Sequence, residues 1–76
     1  MTNQNDYMEP MRIKYPDIQV PLIGEDGNAF AIMGRVQRHL KENGVPKEEI
    51  EQYLKESQSG DYDNLLATTA RWVTIL

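Results

Sequence analysis

Residues 24–46 read GEDGNAFAIMGRVQRHLKENGVP, and the fold turns on whether this stretch is a hairpin or a helix. Asp26-Gly27 can turn a hairpin into the run Ala29-Phe30-Ala31-Ile32. Plotted at about 100° per residue, however, Ala29, Met33, Val36 and Leu40 fall on one side, with Phe30 at one margin and Ile32 at the other. Arg35, Arg38 and Glu42 fall opposite. The period persists to Leu40, far past a hairpin strand, so the stretch 29–43 reads as a helix. Asn28 is placed to cap it, because its side-chain oxygen can accept an N–H from the first turn. Gly34 interrupts this helix, where glycine costs roughly 1 kcal/mol relative to alanine. Close approach of another backbone is the expected compensation.

Working outward, Asn43-Gly44 is a strong hairpin dipeptide in isolation, but here it separates two helical tracts. Gly44 then takes the left-handed position after the first helix, and Val45 packs back on its last turn as in a Schellman cap. Pro46 suits the first turn of the next helix, where a missing N–H costs nothing. That helix runs 47–57, with Ile50, Tyr53 and Leu54 on one face and Glu48, Glu49 and Glu51 near its positive end. Ser59-Gly60-Asp61 breaks it, and Asp61 or Ser59 caps a third helix. There Tyr62, Leu65, Leu66, Thr69, Ala70, Trp72 and Val73 recur at near-helical spacing.

The flanks are extended. In IQVPLI, 18–23, Ile18, Val20 and Leu22 alternate with Gln19, Pro21 and Ile23. Pro21 cannot donate to a ladder, so this is an edge strand or a bare extended chain. The tail VTIL, 73–76, is β-branched and apolar and can either prolong the third helix or leave it to pair beside IQVPLI. The expected fold is α+β and mostly helical: a short N-terminal strand, three consecutive helices and a short C-terminal strand. Residues 1–17 carry Pro10 and Pro16 and no clean apolar period, so they read as a flexible N-terminal tail. Residues 18–76 read as a single small globular domain. A domain of roughly sixty residues buries only about 60% of its unfolded surface, which favours self-association or a partner.

Composition narrows the function. The chain has 76 residues, a net charge of −4 and no cysteine, which excludes disulfides, thiolate metal sites and cysteine nucleophiles. No apolar run approaches the ~20 residues of a membrane span. MTNQNDYMEP has neither the basic nor the apolar region of a secretory signal, so a cytoplasmic location is expected. The acidic balance argues against bulk nucleic-acid binding, with Arg35, Arg38 and Lys41 the nearest thing to a basic patch.

The glycine-rich start of the opening stretch invites comparison with a phosphate cradle, in which backbone N–H groups and a helix N-terminus face the anion. Here Glu25 and Asp26 lie between Gly24 and Gly27, and no Lys-Ser or Lys-Thr follows. The stretch therefore reads as a turn and a cap. A divalent-cation site on Glu25, Asp26 and Asn28 is the sharper alternative, but it lacks the spacing of a calcium loop. His39 is the one histidine and has no nucleophile motif around it, so it reads as a half-exposed surface residue. Arg35 and Arg38, joined by Arg71, are candidates for gripping a carboxylate or phosphate, against the plainer reading of a solvated face. Tyr62 and Trp72 read as core, with Trp72 also a candidate partner contact. No catalytic residue, metal or cofactor is expected.

From Val20 to Val73 the segments VPLIGEDGNAFAIMGRV, ENGVPKEEIEQYL and SGDYDNLLATTARWV resemble a family of small uncharacterised bacterial and phage-type proteins. The most distinctive pieces are 27–30, GNAF, and 59–63, SGDYD. The resemblance implies a compact self-contained domain and carries no activity, cofactor or site. The expected function is a small non-enzymatic interaction or regulatory module binding a protein partner or itself, with Arg35, Arg38 and Trp72 as candidate contacts. A nucleic-acid-associated accessory factor using the Arg/Lys face is the alternative, and an enzyme the third reading.

Overall fold

A computed structural model describes residues 12–76. The elements follow in the order β1 (Tyr15–Val20), α1 (Ala29–Glu42), α2 (Lys47–Ser57), α3 (Tyr62–Trp72) and β2 (Val73–Ile75). β1 and β2 form a two-stranded parallel sheet, so the three helices make up the connection between its strands. This is the mostly helical α+β architecture that the sequence predicts. Among the described residues no helix is long and apolar enough to cross a membrane.

α1 is bounded by local chemistry at both ends. The Asn28 side chain accepts the Phe30 N–H at 2.8 Å, and the Asp26 carboxylate accepts the Asn28 N–H. At the other end Gly44 has φ +80°. Its N–H donates to the Lys41 carbonyl and the Val45 N–H to the Leu40 carbonyl, the two bonds of a Schellman motif. Val45 is buried behind them. Pro46 sits one position earlier than expected, as the N-cap of α2. Its carbonyl accepts from Glu49 and Ile50, so it opens the helix while its absent N–H lies outside it. Of the two candidates for capping α3, Asp61 does so, accepting the Asn64 N–H at 2.9 Å.

The sheet corrects the sequence in one respect. β1 begins at Tyr15 rather than Ile18 and ends at Val20, before Pro21. Tyr15–Asp17, assigned to the tail 1–17, thus belong to the strand, while residues 1–11 of that tail lie outside the described residues. Two contacts hold the early start. The Tyr15 ring packs 6.1 Å from that of Trp72, and its hydroxyl donates to Glu49 on α2. Between Tyr15 and Gln19 the register against β2 slips, and there the Thr74 hydroxyl donates to the Pro16 carbonyl at 2.7 Å. Beyond Pro21 the chain still follows β2, because the Leu22 and Ile23 N–H groups both donate to the Leu76 carbonyl.

The core lies where the sheet meets the helices. Val20, Val36, Leu40, Tyr53 and Val73 are fully buried, and Ile18, Ile32, Leu65 and Trp72 nearly so. The polar groups inside are paired. The Tyr53 hydroxyl bonds Thr69 Oγ1 at 2.7 Å, Ser57 Oγ donates to the Tyr53 carbonyl, and the Trp72 indole N–H donates to Glu56.

Candidate functional site

Among the described residues, four large apolar side chains are well exposed: Ile23, Phe30, Tyr62 and Leu76. Phe30 is 78% exposed although its helix is otherwise amphipathic, because it stands at the margin of the apolar arc. Tyr62, expected in the core, is 45% exposed. It occupies the first position of α3, where its hydroxyl reaches back to the Gly27 carbonyl. That bond ties the start of α3 to the turn before α1. Phe30 and Tyr62, with Met33, Leu65, Gln58 and Asp61, line an open cleft of about 330 Å³.

A second cleft of about 400 Å³ lies toward the other end of α1, between Gln37 and Lys41 of α1 and Lys47, Ile50, Glu51 and Leu54 of α2, with Val45 beneath the turn. The short turn 43–46 makes α1 and α2 antiparallel neighbours. Residues 30, 37 and 41 share one side of α1 by helical spacing, with Met33 beside them. Both clefts therefore lie along that side of α1, with no lining residue in common. Asp61 lines the Phe30 cleft, and Lys41, Lys47 and Glu51 line the second.

The residues singled out in the sequence do not assemble into a site. Arg35 lies against Glu25 at 3.2 Å with its side chain 20% exposed. Its Nη1 is buried without a partner among the described residues. Arg38 is exposed on the outer face of α1. Arg71 donates to Thr68 Oγ1 on its own helix, and no described contact joins it to Arg35 or Arg38. Trp72 is 4% exposed, edge-on to Tyr53 and covered by Lys14, whose Nζ stands 4.3 Å from the ring centroid. His39 is half-buried, with Nδ1 at 2.9 Å from the Arg35 carbonyl.

The turn 24–28 is occupied by its own bonds. Gly24 has φ +83°, Glu25 pairs with Arg35 and Asp26 with the Asn28 N–H. No cluster of His, Asp and Glu suited to a metal occurs among the described residues. Gly34 departs from expectation: it is exposed, and no described atom lies within 4 Å of where a Cβ would stand. No backbone within the described fold presses on it.

The carboxylates held below their usual range lie on the far side of α2. Hydrogen bonds from the Tyr15 hydroxyl and then from Lys14 hold Glu49 below the usual carboxylate range. The Gln52 amide and then the Trp72 indole do the same for Glu56. Burial pushes the Tyr53 hydroxyl up. These groups brace Trp72 and Tyr53 and open into no cleft that Phe30 or Lys41 lines.

No family model matches the chain, and neither a curated protein nor a solved structure does so.

Proposed function

We propose that this protein is a small non-enzymatic interaction module that binds a protein partner through the groove between the start of α1 and the start of α3, with Phe30 and Tyr62 as its apolar anchors. One observation carries the reading: a phenylalanine 78% exposed beside a cleft that its neighbours hold open. Aromatic anchors of this kind contribute most of the binding energy in protein interfaces. The face is positioned by its own bonds, from Asn28 to the Phe30 N–H and from Tyr62 to the Gly27 carbonyl, so little ordering remains to oppose binding. The reading takes the cytoplasmic location expected from the sequence, and the absence of cysteine fits a reducing compartment.

Affinity capture from the native host tests the reading. Wild type and Phe30→Asp are compared quantitatively; exposure of residue 30 leaves the fold of the variant intact. A protein recovered with wild type and lost with the variant is the expected result. Identical recovery with both would remove the groove from the function.

A further inference from the structure

Asn43-Gly44 is the one Asn-Gly pair in the chain, and such a pair carries its own chemistry. The glycine amide nitrogen can attack the asparagine side-chain carbon Cγ, because no Cβ on glycine stands in the way. A C–N bond forms, the side-chain nitrogen leaves as ammonia, and a cyclic succinimide remains. Water then opens the ring at either carbonyl, giving aspartate or isoaspartate. Nothing but water is consumed.

Both residues are exposed, and both are held by the turn between α1 and α2. Asn43 Nδ2 donates to the His39 carbonyl at 2.8 Å, and the Gly44 N–H donates to the Lys41 carbonyl at 3.1 Å. The Asn43 N–H is shared between the His39 and Leu40 carbonyls, which fixes the backbone ahead of the side chain. Asn43 holds φ −97° and ψ 13°. Closing the ring swings the Gly44 nitrogen round to Cγ through a large change in ψ, and that change breaks the bond to Lys41. It also draws away Val45, which is buried with its N–H on the Leu40 carbonyl. Helix ends open at far lower free energy than a whole fold, so the reactive geometry is reached by local opening.

We infer that Asn43 is a self-acting deamidation site gated by this turn: the closed Schellman cap withholds the reaction, and each opening of the α1 C-terminus permits it. The product hinders closure. Aspartate puts a carboxylate where an amide donated to the His39 carbonyl, at the negative end of α1 and beside Glu42. Isoaspartate routes the main chain through the side chain and lengthens it by a methylene, so the bonds to Lys41 and Leu40 lose their spacing. The change is one-way and adds one negative charge. It does not depend on what the Phe30 cleft binds.

Trypsin cuts after Lys41 and Lys47, so the fragment 42–47, ENGVPK, carries Asn43 as its one asparagine. Wild type is aged at mildly alkaline pH, digested briefly, and the fragment is followed by mass for conversion of amide to acid. The synthetic peptide 42–47, aged alongside, gives the ungated rate. The folded protein is expected to convert at least about tenfold more slowly than the peptide, and faster as guanidinium chloride is raised toward the unfolding midpoint. Val45→Ala leaves the reacting pair intact but takes buried methyl groups from the cap, so it should convert about threefold faster or more while circular dichroism shows it folded. Asn43→Asp, the analogue of one product, should have a lower denaturation midpoint than wild type.

Equal rates in the peptide and the folded protein would show that the turn withholds nothing and would overturn the inference. So would a peptide that does not convert, a protein rate flat in guanidinium chloride, a folded Val45→Ala no faster than wild type, or an Asn43→Asp as stable as wild type.

Discussion

Gly44 and Gly34 differ in what a side chain would meet. Gly44 holds φ +80°, a conformation that costs an L-residue on the order of 1 kcal/mol, although the space around it is open. Gly44→Ala is therefore expected to lose stability of that order and to lower the urea midpoint, and an unchanged midpoint would contradict the left-handed cap. Gly34 has ordinary helical backbone and equally open space. At low concentration, Gly34→Ala should stabilise the monomer by up to about 1 kcal/mol. A fall in the midpoint instead would show that something other than residues 12–76 of the same chain rests on that position. The role of Gly44 was legible in the sequence because Asn-Gly-Val-Pro between two apolar periods has a local reading. The surroundings of Gly34 were not, because they depend on which elements pack over the helix.

At the scale of elements, caps and breaks follow from neighbouring residues. Asn28 bonds the Phe30 N–H and touches no core side chain through that bond, so Asn28→Ala should cost about 0.5–2 kcal/mol. Denaturation of the isolated change measures it, and a loss below that range would mean that water or Asp26 replaces the cap. The end of α3 is different in kind. Trp72 and Val73 are adjacent, yet the chain leaves the helix between them, and Val73 takes φ −138° and ψ 166°. Nothing in RWVTIL forbids a further helical turn. The switch is decided by β1, whose register sets Thr74 against Gln19 and Ile75 against Val20. The start of β1 was obscured for a related reason. Tyr15 is held by Trp72 and Glu49, and these are neighbours only after the helices have packed.

At the scale of the whole molecule, the Lys14–Tyr15 segment, α2 and α3 are clamped together around Trp72. Glu49 takes the Tyr15 hydroxyl and the Lys14 ammonium, and Glu56 takes the Gln52 amide and the indole N–H. Both carboxyls are thereby held below their ordinary range. A folded value depressed below the unfolded one contributes stability that is present above the unfolded value and lost as pH falls through the folded one. The urea midpoint should therefore decline on acidification from the usual carboxylate range downward. The double variant Glu49→Gln, Glu56→Gln should flatten that acid limb. Both groups are partly open to water, so the effect is modest and weakens in salt. An acid limb of the same depth in the double variant would place the linkage elsewhere in the chain.

The sequence by itself determined the three helices, the caps of the first at Asn28 and Gly44, and the inward arc of Met33, Val36 and Leu40. These depend on interactions within one or two helical turns, and a local pattern records them. The tertiary structure alone decided that Val73–Ile75 is a parallel strand, that Tyr15 joins the sheet and that Lys14 covers Trp72. It also decided that Arg35 is taken up by Glu25 while Phe30 and Tyr62 face outward together. Each of these joins residues far apart in the chain. The physical reason is that an apolar residue at the margin of a helical arc is buried or exposed according to what its neighbours leave uncovered, and periodicity does not record that.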